Sequence, residues 1–162
     1  MNTTTPVPVR KGPPQELLLS TAFLLKRLGF MVKERSQESL EQTGLGYQHH
    51  AVLALLDEAR CDQQGTLADR LGYDRSQMVG LLDDLEEHGL VTRERDPDDR
   101  RRHRVTLTPA GRKTLDELRA IARTVEKDFL TPLDADERRT LHELLLRLAA
   151  YHEPAYAAPT KG

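Results

Sequence analysis

The sequence predicts a mainly α-helical domain carrying one small β-hairpin, an α+β chain. Three observations lead there. Apolar residues recur at helical spacing along most of the chain, β-forming residues concentrate in two short alternating runs, and between Pro14 and Pro109 only Pro97 interrupts. At 162 residues one compact domain is expected, with 24 Lys+Arg against 26 Asp+Glu, 38% apolar residues and a single cysteine. One Cys61 cannot pair within the chain, and no apolar run approaches the roughly 20 residues of a membrane helix. With no secretory pattern at the start, a cytoplasmic setting is expected.

Residues 1–14 carry four prolines and read as a flexible arm; residues 153–162 read as a flexible tail. The folded body is therefore expected at 15–152. A first helix is predicted over 15–42, with Leu18, Ala22, Leu25 and Val32 on one stripe and Gly44 and Gly46 ending it. A second follows over 47–59, then a loop over 60–65. Thr66 stands as the N-cap of a short third helix that Gly72 stops. Asp74 caps a fourth, whose buried face is Met78, Leu81, Leu82 and Leu85, with Gly89 as its stop. Residues 90–95 and 103–108 alternate as strands around the turn Asp96-Pro97-Asp98-Asp99, which makes a hairpin.

Thr108 then caps a long helix with Pro109 at its first position, and Leu115, Leu118, Ala122, Val125 and Phe129 repeat at spacings of three and four. Asp134 starts the last helix. Leucine stripes at both ends, Leu17 and Leu18 with Leu141, Leu144, Leu145 and Leu148, are expected to pack against a second copy of the chain. The lobe over 47–108 would then sit between dimerisation helices at 15–42 and 109–152.

Short helix, tight turn, helix and hairpin in that order form a winged helix-turn-helix, whose second helix enters the major groove of duplex DNA. The net charge of −2 speaks against nucleic acid until its distribution is read. Residues 93–104 hold six arginines among four acids, whereas residues 74–89 hold five acids against Arg75 alone. Most of those acids lie in the C-terminal half of the fourth helix; its N-terminal end, with Arg75, Ser76 and Gln77, presents the positive end of the helix dipole.

The run from Thr66 to Gly111 resembles the MarR family of transcriptional regulators. The matching fragments are Leu85-Glu86 with Gly89-Leu90-Val91, the wing pair Asp99 and Arg101, Leu107-Thr108, and Gly111. The resemblance implies a homodimer with two winged DNA-binding lobes, often a repressor on a pseudo-palindromic operator that responds to a small aromatic or anionic effector. It implies that Thr66 contacts phosphate, that Arg75, Ser76 and Gln77 contact bases and phosphates, and that Arg101 enters the minor groove while Asp99 braces the wing. Many members carry arginine where this chain has Gly80 and Asp84, which shifts phosphate binding toward Arg93, Arg95, Arg100, Arg102 and Arg104.

Two readings stay open for His49 and His50: structural histidines, or lining of an effector pocket with Tyr47, Phe23, Arg27 and Phe30. Cys61 reads as a bystander rather than a redox sensor. No Cys/His cluster has metal-ligand spacing, no cofactor is expected, and no nucleophile, base or phosphate-loop pattern supports an enzyme. The alternative function is a winged-helix protein-interaction module without specific DNA binding, since a fold does not fix its use.

Overall fold

The structure, a computed structural model, describes residues 12–59, 62–97 and 102–156. The N-terminal helical segment is broken in two, not continuous as expected: α1 (Gln15–Leu18) and α2 (Thr21–Leu40). Ser20 is the reason. Its backbone is extended and its hydroxyl accepts the Phe23 N–H at 3.3 Å, so it caps a new helix rather than continuing the old one. A 3-10 turn over Glu41–Thr43 and a left-handed Gly44 (φ 69°) close the segment before α3 (Tyr47–Ala59).

The expected loop over 60–65 is shorter, because Asp62–Gln63 form β1 and α4 (Gln64–Leu71) starts at once. Thr66 is therefore the third residue of α4 and not its cap. Backbone pairing moves the boundary: Asp62 and Gln63 lie antiparallel opposite Val105 and Arg104 of β3 (His103–Leu107), giving an edge that local composition does not announce. Gly72 (φ 66°) ends α4, and Asp74 caps α5 (Arg75–Glu87), its carboxylate accepting the Gln77 N–H at 2.8 Å.

Strand β2 (Val91–Arg95) pairs with β3 in the register Val91 to Leu107 through Arg95 to His103, so the sheet order is β1-β3-β2. Thr108 links this hairpin to α6 (Pro109–Phe129): its hydroxyl donates to the Gly89 carbonyl at 2.8 Å and accepts the Gly111 N–H at 2.9 Å. Gly111 has a steric reason. A Cβ there would run into the carbonyl oxygen of Leu90 and the Leu107 side chain. A capping box of Asp134 and Glu137 starts α7 (Ala135–His152).

The core lies in one half of the molecule. Val52, Leu53 and Leu56 of α3, Leu67 of α4, Met78, Leu82 and Leu85 of α5, Val91 and Val105 of the sheet, and Leu115 and Leu118 of α6 are fully buried. By contrast α2 buries only Leu40 and α7 buries nothing. Leu17, Leu18, Leu24, Leu25 and Leu28 on one side, and Leu144, Leu145 and Leu148 on the other, stand exposed on the single chain.

Candidate nucleic-acid interface and ligand cavity

Four residues set the leading end of α5. Arg75 is the first helical residue and is exposed. Ser76 donates its hydroxyl to the Asp74 carboxylate at 2.7 Å and is exposed, and Gln77 is half-buried. The Gln77 N–H, then the Ser76 hydroxyl, holds the Asp74 carboxyl below its ordinary range, so the cap stays ionised at neutral pH. Arg75 faces a concavity of about 500 Å³ between α4, α5 and the hairpin, bordered by Gln64, Thr66, Arg102 and His103. Helix termini and wing thus converge on one polar surface.

Three of the four acids of α5 have partners. Arg93, reaching back from β2, places one guanidinium nitrogen 2.6 Å from Asp83 Oδ1 and 2.5 Å from Glu86 Oε2; its Nε donates to the same Glu86 oxygen at 2.8 Å. Its backbone N–H reaches Glu86 Oε1 at 3.3 Å. The Glu86 bond chiefly, against some burial, raises the Arg93 pKa above its ordinary value. Arg93, one of the residues expected to contact DNA, clasps the wing to α5. Asp84 is met by His49 Nε2 at 3.4 Å, while Glu87 is exposed.

Arg95 is exposed on the hairpin, and Arg102 donates to the Gln63 side chain at 2.9 Å. Arg104 Nε lies 3.8 Å from Asp96, a buried carboxylate whose backbone N–H closes the hairpin onto the Arg102 carbonyl at 3.0 Å. Asp99, Arg100 and Arg101, and also Cys61, lie outside the described residues.

A second site is an apolar cavity of about 620 Å³ where α2, α3, α6 and α7 meet. Of the six residues expected at a pocket, Tyr47 and His50 line it, their rings edge to face at 6.4 Å. The other four do not. His49 accepts the Gly46 N–H at 2.9 Å and turns toward Asp84; Arg27 stacks on the exposed Phe30 at 5.7 Å; Phe23 sits at the capped start of α2. Both residues of that cation-aromatic pair point away because α2 offers the cavity another face, Leu25, Leu28, Val32 and Ser36. The remaining wall comes from α6, including Leu118, Ile121, Val125 and Phe129, with Leu141 and Leu145 of α7. Glu126 is the one charged side chain on this lining. Burial, then the nearby Arg119 charge, lowers the His50 pKa, which keeps that ring neutral at pH 7.

The sequence model of the MarR family matches residues 43–102, from the turn before α3 to the residue before β3. Over 85 residues the chain is 39% identical to a Thauera aromatica protein named for transcriptional regulation of the hcr operon. A crystal structure of a MarR-family transcriptional regulator from Rhodococcus sp. RHA1 is 33% identical, with a TM-score of 0.71 over 82% of this chain and 92% of that one. The chain belongs to the MarR family. CouR from Rhodococcus jostii RHA1, solved bound to p-coumaroyl-CoA, is 30% identical with a TM-score of 0.72, over 87% of this chain and 97% of that one. The chain spans about half to two thirds, 51% and 65%, of the length of the curated relatives it matches.

As a MarR-family winged helix, the molecule places Thr66 and Arg75 on one concavity with Arg102, with Ser76 exposed at the next position of α5 and Arg95 exposed on the hairpin. The α6 wall of the cavity escaped sequence reading because its three-and-four spacing suits a dimer stripe equally well. Among the described residues no group of three His, Cys, Asp or Glu could hold a metal ion, and no helix is long and apolar enough to cross a membrane.

Proposed function

We propose that this MarR-family protein is a sequence-specific, duplex-DNA-binding transcriptional regulator that acts as a cytoplasmic homodimer. The observation that carries the reading is the end of α5: an Asp74-capped helix start presenting Arg75 and Ser76 beside a basic wing, with Asp83 and Glu86 sharing the Arg93 guanidinium. The exposed Arg75 and Ser76 side chains at that helix end are of the kinds that contact phosphates and base edges. The exposed leucine faces of α1, α2 and α7 support the dimer, because a lone chain gains nothing by holding them in water. Two lobes related by a two-fold axis would read half-sites about one helical turn apart.

Repression follows if the bound dimer occludes a promoter, and the cavity supplies a place for an effector to relieve it. Likeness to CouR, which was solved with p-coumaroyl-CoA bound, supports that role. The mostly apolar walls suit the aromatic or aliphatic end of such a molecule, with Tyr47 and His50 as hydrogen-bonding groups. An effector that separates the two lobes needs a differential affinity of only about 1 to 3 kcal/mol.

In-vitro selection from a random duplex library, with Arg75→Ala as control, tests the reading. Enrichment of a two-fold motif, lost in the control and weakening steeply with salt, is the expected result. Folded, dimeric protein that enriches nothing would favour a protein-interaction module.

A further inference from the structure

We propose that Val79 reads the C5-methyl group of a thymine in the major groove, and that Gly80 lets the helix approach closely enough for it to do so. The inference rests on the DNA-reading role of α5 argued above.

Ser76 and Gly80 share the face of α5 opposite Met78, Leu82 and Leu85, which are fully buried, and Arg75 and Val79 lie together on the flank beside it. Val79 is 38% exposed and borders a polar concavity between α5 and the hairpin with Gln64, Glu86, Arg93 and His103. Valine and glycine are both poorer helix formers than alanine, yet they sit side by side in the middle of this helix. The fold asks for neither. Gly80 does not adopt a positive φ, and a Cβ built there would meet nothing within 4 Å.

A groove would ask for both. In the major groove the thymine methyl is the one apolar feature that a base edge presents, and small apolar side chains recognise it by contact. A residue with no side chain at position 80 lowers the relief of the helix one turn past Ser76 and brings the backbone nearer the groove floor. Val79 would then place its methyl groups against the base while Arg75 and Ser76 supply hydrogen bonds. Asp83, one turn further on, is held aside by Arg93.

Duplexes selected by the wild-type chain, with thymines replaced one at a time by deoxyuridine, give the test. That replacement keeps the base pair and removes only the methyl. We expect one thymine in each half-site whose replacement weakens wild-type binding about threefold to fivefold, the worth of one methyl group removed from water. Val79→Ala should bind the thymine and deoxyuridine duplexes equally. Gly80→Ala should melt at higher temperature yet bind the same duplex more weakly. A motif with no fixed thymine, a wild-type chain indifferent to every replacement, or an undiminished methyl preference in Val79→Ala overturns the assignment; unchanged binding by Gly80→Ala overturns the part given to Gly80. If the wild-type chain selects no duplex at all, the DNA-reading function fails first and this inference with it.

Discussion

Replacing Arg93 separates two roles that a wing arginine can have. Its guanidinium lies within 2.6 Å of oxygens on both Asp83 and Glu86, and its side chain is only 21% exposed, whereas the carboxylates are 54% and 39% exposed. An open ion pair contributes about 0 to 1 kcal/mol; two carboxylates sharing one well-ordered guanidinium should bring Arg93→Ala to about 1 to 2 kcal/mol of lost stability. For a chain of this size that lowers Tm by about 2 to 8 °C. It also frees two negative charges beside the surface that faces phosphate. At low salt, duplex affinity should therefore fall by about threefold to tenfold, and the loss should shrink as salt screens it. The companion variant, Asp83→Asn with Glu86→Gln, removes the same clasp but leaves the cation. It should lose comparable stability while duplex binding holds or tightens. Thermal melts and fluorescence anisotropy at two salt concentrations read both quantities. Arg93→Ala with wild-type Tm and weakened binding would refute the clasp and restore Arg93 as a direct phosphate contact.

Other outcomes follow from the same geometry. Gly111→Ala should cost several kcal/mol, about 2 to 4, because backbone must move to admit the methyl group, and a melt against wild type measures it. Asp74→Ala should destabilise the start of α5 while Asp74→Asn largely preserves it. Because the Asp74 pKa is lowered in the fold, its stabilisation is complete above the ordinary carboxylate range and disappears as pH falls through the lowered folded value, so wild type and Asp74→Ala should converge in acid melts. His50 has the opposite sign of charge: with its folded pKa lowered from 6.5, the unfolded chain takes up the proton first, and stability declines as pH drops below about 6.5. That decline should be smaller in His50→Gln when Tm is followed from pH 7.5 to 5. Leu144→Asp with Leu148→Asp should yield an 18.4 kDa species by sedimentation; a stable species of twice that mass would place the dimer contact elsewhere.

Much of this molecule was legible in its sequence because much of it is decided locally. Asp74, Thr108 and Asp134 act on N–H groups two or three residues ahead, and Gly72 and Gly89 turn the chain where they stand, so composition alone places those helix ends. The buried stripe of α5 follows from its spacing in the same way. Even Ser20 was a local signal, a helix cap hidden inside an otherwise continuous apolar pattern. What tertiary structure decided were relations between segments distant in the chain. Sequence shows six arginines near the wing, but only the packing of β2 beside α5 commits one of them to Asp83 and Glu86. It shows two adjacent histidines, yet successive residues of a helix point about 100° apart, so His50 enters the cavity while His49 meets Asp84. Pairing of Asp62–Gln63 with β3 depends on an edge that exists only once the hairpin has folded. A cap needs its neighbours in sequence, whereas an ion pair, a cavity wall or a sheet edge needs neighbours that only folding brings close.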